Sequence, residues 1–207
     1  MATLIIHGTP LSTYVRTCRM ACLEKGVPYE LDPLAPQSPE QVAMQPWGSV
    51  PAMTHGDVRM YESLAICNYI DNAFDGPPLQ PADPLANARC WQWTSVFIQY
   101  LYRPGIDIVL QRLVVPAQGG EPDEALVESS VPKSDKALGE LDGALEGNAC
   151  FAGDEASVAD YMVLPVLHYL KMTPEGETLL APRTNIARWQ AAIDERESAV
   201  ATVPEFG

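Results

Sequence analysis

The stretch FDGPPLQPADP, residues 74–84, limits what this chain can fold into more than any other: its eleven residues hold four prolines, a glycine and two aspartates. Proline lacks the backbone donor that helix and ladder both require, so no regular element runs through such a segment. It therefore separates two parts with different patterns. Ahead of it, short runs alternate between two periodicities. TLIIH is an apolar run closed by Gly8, and YVRTCRMACLEKG carries apolar residues at helical spacing with a glycine stop. VPYELDPL alternates like a strand, and SPEQVAMQ places proline near the start of a short helix. VPAMTHGDVRMY reads as a hairpin turning at THGD, and ESLAICNYIDNAF is helical again. The order strand, helix, strand, helix, strand, strand, helix predicts a small mixed sheet with helices packed on it, an α+β domain. Behind the break nothing reads as a strand. PLANARCWQWTSVFIQYLYRPGIDIVLQRLV is a long helical pattern expected to kink near Pro104 and Gly105. EPDEALVESSVPKSDKALGELDGALEG, SVADYMVLPVLHYL and TNIARWQAAIDER supply three more. The expected organisation is a mixed domain over residues 1–74, a linker over 75–84 and an all-α domain over 85–207.

With 207 residues, 47% of them hydrophobic, the chain can bury a sizeable core. The formal net charge of −14, with Lys and Arg scattered rather than massed, repels phosphate backbones and anionic lipid, so nucleic acid is not an expected partner. No basic region precedes the short apolar run at the N-terminus, and no run reaches the roughly 18 apolar residues of a membrane span. A cytoplasmic chain without membrane attachment is expected. Cys18, Cys22, Cys67, Cys90 and Cys150 show no C-x-x-C spacing and have no histidine placed to complete a zinc site. They read as buried small hydrophobes in a reducing compartment, with no metal.

Four places carry candidate chemistry. Ser157 and Asp160 stand at S-x-x-D before a buried helix, the spacing of a reciprocal cap, which reports on fold. Glu62 and Ser63 open a helix whose free N–H groups suit a carboxylate, while the Glu62 carboxylate suits an ammonium. The pair thus fits the two ends of an α-amino acid, or equally an ordinary N-cap. Val50-Pro51 follows a turn and starts a strand, where an X-Pro bond can be cis, a weak signal taken alone. Ser12, in the turn GTPLST, either caps the first helix or holds its hydroxyl at that helix's positive end. His7, His55 and His168 lie in unrelated contexts without an evident acid to orient them, so no Ser-His-Asp reading is available and each reads as a core or surface residue.

Taken in order, GTPLSTYVRTCRMACLEKGVPYE, PWGSVPAM, MYESLAICNYI and FAGDEASVADYMVLPVL resemble the cytosolic glutathione transferases over nearly the whole chain. The resemblance implies a thioredoxin-like N-terminal domain, an all-α C-terminal domain, a glutathione site on the first and a hydrophobic electrophile site between the two. It assigns Glu62 and Ser63 to the α-amino acid end of glutathione, the residue before a cis-proline, Val50 with Pro51, to the cysteinyl backbone, and Ser12 to the sulfur. Only the thiolate is a competent nucleophile and an ordinary thiol has a pKa of about 8.5, so a hydroxyl donor at a helix N-terminus must favour the anion. Thr13 and Tyr14 are neighbouring hydroxyls, with Ser12 preferred over either. Cys18 lies too far into the helix to activate the thiol. The run STYV has no cysteine for dithiol chemistry, and the Ser-Ser-Cys motif of maleylacetoacetate isomerases is absent. Ser49 stands where several classes carry glutamine or lysine.

Trp93, Phe97 and Tyr100 recur at i, i+4, i+7 and read mainly as a core stripe. In the family this helix borders the electrophile pocket, for which Tyr14, Tyr100, Tyr102 and Arg103 are the candidates. Trp47 sits where some classes place an aromatic key inserted into a partner subunit, so a homodimer is expected. The implied activity is conjugation, substitution or peroxide reduction by glutathione as co-substrate, with no cofactor, in a detoxifying role. A non-catalytic ligand-binding or protein-interaction module of the same fold is the alternative, and ether or halide cleavage a third reading. A first-turn serine leaves the class open among bacterial-like and phi-, tau- or theta-like members.

Overall fold

Alternation decides the first strand. In β1 (Leu4–His7), Leu4 and Ile6 are buried on one face while Ile5 and His7 project from the other. Strand β2 (Tyr29–Asp32) pairs with it in parallel, which requires a crossover, and helix α1 (Thr13–Lys25) supplies it. That helix ends at Gly26, which takes the left-handed φ of 74° that a side chain resists. The short helix α2 (Pro39–Met44) leads into the hairpin of β3 (Ala52–His55) and β4 (Val58–Tyr61), and helix α3 (Ser63–Ala73) follows. The sheet order is β2-β1-β3-β4, with β3 antiparallel to both neighbours. This is the thioredoxin-like arrangement.

The computed structural model describes residues 2–205, which divide into two compact units. One runs to Ala82 and resumes at Asp194; the other spans Asp83–Ile193. The last residues, expected with the helical part, thus group with the sheet. The reason is a set of charged and polar ties from α1 to the short helix α11 (Glu197–Ala201). Buried Arg16 donates from Nε to Thr202 Oγ1 at 3.3 Å and from its terminal nitrogen to the Ala199 carbonyl at 3.2 Å. Arg196 donates to Glu24 at 2.7 Å, and Ser198 also bonds that carboxylate.

The second unit is all helical, as its pattern predicts. Asp83 caps α4 (Pro84–Val96), accepting from Leu85 and Ala86 N–H at 3.0 and 2.9 Å. The helix does not simply kink at Pro104. It widens into a π-helical stretch, Phe97–Tyr102, continues as α5 (Arg103–Val109), widens again over Leu110–Val114 and ends in α6 (Val115–Ala117). Pro104 has no N–H to give the turn before it, and the altered winding absorbs that loss. After it come α7 (Glu124–Ala144), α8 (Val158–Leu170), α9 (Pro174–Leu180) and α10 (Thr184–Asp194). The short α9 has no counterpart among the predicted helices. Helix α8 is the buried centre, and its start is fastened as S-x-x-D requires. Asp160 accepts from Ser157 N–H at 2.8 Å, Ser157 Oγ at 3.0 Å, Phe151 N–H at 3.2 Å and Trp189 Nε1 at 2.7 Å.

Candidate active site

Three segments of the first unit converge at one end of the sheet. The chain leaves β1 at Gly8, where φ is 146° and an added Cβ would lie 2.6 Å from Val15 Cγ2 and 2.8 Å from Val50 Cβ. Only glycine fits so close an approach, which brings the β1–α1 turn, the first turn of α1 and Val50 together. Ser12 is the N-cap of α1, half-buried, and accepts from Val15 N–H over a long 3.4 Å. An acceptor bond leaves its own hydroxyl hydrogen for another partner. Thr13 is buried, and Tyr14 is half-buried.

Val50-Pro51 is cis, and the main chain of Val50 pairs with none of the described residues. The loop ahead of it is held by three glutamines that sequence reasoning missed. Gln41 donates to the Ser49 carbonyl at 2.7 Å and Gln45 donates to the same oxygen. The Gln45 side chain also accepts from Trp47 N–H, and Gln37 Nε2 donates to the Trp47 carbonyl, each at 2.9 Å. Only Gln41 lies within α2; Gln37 precedes the helix with φ 64° and Gln45 is its extended C-cap, so helical spacing gives no signal for the set. Trp47 itself is 68% exposed.

The start of α3 differs from an ordinary cap. Ser63 is the first helical residue rather than the cap, and Glu62 ahead of it is exposed with φ 72° and ψ 115°. A non-glycine residue in that region is uncommon and costs energy, and such residues cluster at functional sites. No side chain caps this helix, so its first N–H groups face outward with the positive end of the dipole. Behind it, the Cys18 thiol donates to the Ser63 carbonyl at 3.8 Å, tying α3 to α1. Burial first, then the neighbouring Cys67 and Cys22 thiols, push the Cys18 thiol well above its ordinary value. Burial likewise raises Cys22 and Cys90. These are neutral, inert thiols.

The histidines correct the expectation that none has an orienting acid. His7 Nδ1 lies 2.9 Å from Asp32 Oδ2, and its Nε2 lies 2.9 Å from Thr54 Oγ1. Strand register sets these residues side by side: His7 opposes Asp32 across the parallel pair, and Thr54 opposes Ile5.

In the second unit the expected stripe breaks up. Phe97 is fully buried against Tyr102, its ring centroid 5.9 Å away, while Tyr100 is 65% exposed. Tyr100 and Arg103 open, with Trp93, Val96, Leu126 and Ala137, onto a groove of about 690 Å³ between the long helix and α7. Arg103 is paired with Asp107 at 2.9 Å. Tyr14 and Tyr102 do not line this groove.

Comparison with known proteins decides the family. The glutathione S-transferase N-terminal domain matches residues 6–78 and the glutathione S-transferase C-terminal domain matches residues 99–197. Glutathione S-transferase 3 of Zea mays is 33% identical over 216 aligned positions, covering 99% of this chain and 96% of its own. The chain belongs to the glutathione S-transferase family. Its fold agrees with the apo form of glutathione S-transferase III at a TM-score of 0.88, with 32% identity and all of both chains covered. A glutathione S-transferase I from mais in complex with an atrazine glutathione conjugate superposes at 0.85, with 28% identity, over 97% of this chain and 96% of that one. The three converging segments are the candidate active site. Among the described residues no group of side chains is arranged to hold a metal, and no helix is long and apolar enough to cross a membrane.

Proposed function

We propose that this chain is a glutathione transferase that binds glutathione along the end of its first sheet and delivers the thiolate to an apolar electrophile. The convergence of Ser12, Val50 and the uncapped start of α3 at Glu62-Ser63 carries this reading. Each segment answers one part of glutathione. The γ-glutamyl end has an ammonium for the exposed Glu62 and a carboxylate for the N–H groups and hydroxyl at Ser63. The cysteinyl main chain pairs with the unpaired main chain of Val50 beside Pro51. The sulfur then falls to the turn between β1 and α1. There the Ser12 hydroxyl donates to it, and the helix N-terminus favours negative charge. Thr13 is buried and Tyr14 sits further along α1, which supports Ser12 as the donor. Glutathione is the co-substrate, and no other cofactor enters.

Stabilising the anion is the protein's share of the chemistry. A thiolate formed on the enzyme at neutral pH attacks the electrophilic carbon, the new carbon–sulfur bond forms, and the leaving group departs with its electron pair. Relatives bearing the transferase name, and the one holding an atrazine glutathione conjugate, support conjugation, and detoxification of apolar electrophiles is the matching role. Ser12→Ala is the decisive test. The bound thiol's pKa, read from thiolate absorbance, should rise, and kcat/KM should fall on the order of 100-fold, as when one donor to a developing anion is removed. Glutathione affinity should change only slightly. Turnover unchanged in the variant would remove Ser12 from the reaction.

The same reading takes the active form to be a homodimer in the cytoplasm. Trp47 is a large, exposed anchor on a loop pinned by three glutamines, the kind of residue that dominates interfaces. The groove bearing Trp93, Val96 and Tyr100 offers it an apolar seat on a second copy, in a two-fold exchange. Tyr100 and Arg103 then serve the subunit contact. Trp47→Ala should convert the dimer to monomer in sedimentation velocity; an undisturbed dimer would place the contact elsewhere. Five free cysteines support a reducing compartment.

A further inference from the structure

We propose that His7 is a positioning residue for the turn that carries Ser12 and for the strand that Val50 enters, a role that rests on Ser12 as the thiol's donor. The imidazole lies at the last residue of β1 and spans three strands, bonding Asp32 at the end of β2 and Thr54 within β3. It is buried, with the ring between partners at 2.9 Å on either side. A carboxylate can only accept, so Nδ1 carries a proton toward Asp32. The Thr54 hydroxyl can give or take one, so Nε2 keeps its bond whether the ring is neutral or protonated. Arg59 opposes Thr54 on β4, and Glu30 opposes Ile5 on β2, on the same sheet face.

The bridge matters because His7 stands directly ahead of the turn. Asp32 holds the chain twice, by its carboxylate on the imidazole and by its carbonyl on Gly8 N–H at 2.8 Å. Gly8 is wedged against Val15 and Val50, and four residues on, Ser12 caps α1 with its N–H on the Thr9 carbonyl at 3.0 Å. On the other side of the ring, Thr54 is three residues from Pro51. One imidazole therefore fixes the distance between the strand that launches the Ser12 turn and the strand that presents Val50. The set resembles a nucleophile, base and acid, but Thr54 sits between β1 and β4 in the ladder, where strand pairing occupies the surrounding N–H groups and leaves no donors for an oxyanion. It positions rather than reacts.

The test compares Thr54→Val and His7→Leu, which break the bridge, with Thr54→Ser and Asp32→Asn, which keep a hydroxyl and an acceptor. The readouts are the bound thiol's pKa by thiolate absorbance, glutathione affinity and melting temperature. The pKa is expected to rise by about half a unit to one unit in the first two, about a three- to tenfold change in the ionisation constant, with affinity within about threefold. The conservative pair should restore the wild-type value. Lower melting temperatures with an unchanged thiol pKa in both breaking variants would reduce His7 to a structural role and overturn the proposal. Should His7→Leu not fold, Thr54→Val against Thr54→Ser carries the comparison. Ser12→Ala separates the two levels: if it raises the thiol pKa and Thr54→Val does not, His7 alone is refuted; if neither does, the Ser12 reading falls and takes the proposal with it.

Discussion

Cys18 and Cys22 stand one turn apart on α1, both without solvent exposure, and burial pushes both thiols far above their ordinary range. Their native pKa values are raised, so the stability they contribute is fully present below the unfolded thiol value of about 8.5 and is lost as pH climbs toward the native values. Each such group costs about 1.4 kcal/mol for every pH unit in that window. Melting temperature should therefore fall steeply from about pH 8.5 upward, and Cys22→Ala should make that alkaline limb shallower while costing packing at every pH. Equal alkaline slopes in the two proteins would show that these thiols ionise without unfolding. Below the window, both should resist alkylation by iodoacetamide in the native state. The same burial keeps the Cys18 thiol, engaged with the Ser63 carbonyl in the α1–α3 interface, from reaching a bound sulfur in place of the Ser12 hydroxyl.

The second π-helical stretch, Leu110–Val114, carries Arg112, which reaches two other elements of its unit. It bonds Glu124 at the start of α7 at 2.6 and 2.8 Å and Glu175 in α9 at 2.6 Å. Hydrogen bonding to Arg112 holds both carboxyls below their ordinary range. That contribution is present above the unfolded glutamate value of about 4.3 and is lost as pH falls through the lower native ones. Arg112→Gln should melt earlier than wild type at pH 7, with the gap closing below about pH 4. A gap that persists in acid would assign the effect to packing of the arginine stem. Element by element, legibility in the sequence depends on range. The hairpin is legible because THGD and the alternating apolar residues are local signals, and the S-x-x-D cap because it closes on itself within three residues. The Trp93, Phe97, Tyr100 stripe misleads because a π-helical turn admits an extra residue, shifting Tyr100 to solvent while Phe97 stays buried. The ends of the candidate glutathione site are legible through resemblance and turn chemistry, but the φ of Glu62 and the His7 bridge are not. The His7 bridge depends on register between strands far apart in sequence, which no local window contains, and the φ of Glu62 is a backbone angle that no side-chain pattern signals.

At the scale of the whole chain, charge sets a problem for the proposed substrate. The protein carries a formal −14, and glutathione is an anion at neutral pH that gains a further charge when its thiol ionises. Local groups must overcome that field. Near the proposed site they are mostly neutral: the loop from residue 33 to residue 50 holds no lysine, arginine or histidine, and its glutamine amides are engaged with main-chain carbonyls. In the same unit Lys25 is paired with Asp71 at 2.9 Å and Arg196 with Glu24. Dipoles and hydroxyls act over a single turn, whereas the net field extends over the Debye length, about 30 Å at 0.01 M salt and about 8 Å at 0.15 M. Screening should therefore remove the repulsion and leave the attraction. The KM for glutathione should fall as sodium chloride is raised from about 0.01 to 0.15 M, at fixed electrophile, with kcat nearly constant. An uncharged thiol such as 2-mercaptoethanol should show no such trend. If KM instead rises with salt, charge pairing at the site, such as that of exposed Glu62 with the substrate ammonium, outweighs the net field, and the neutral groups at Ser12, Val50 and the α3 N-terminus do not dominate recognition.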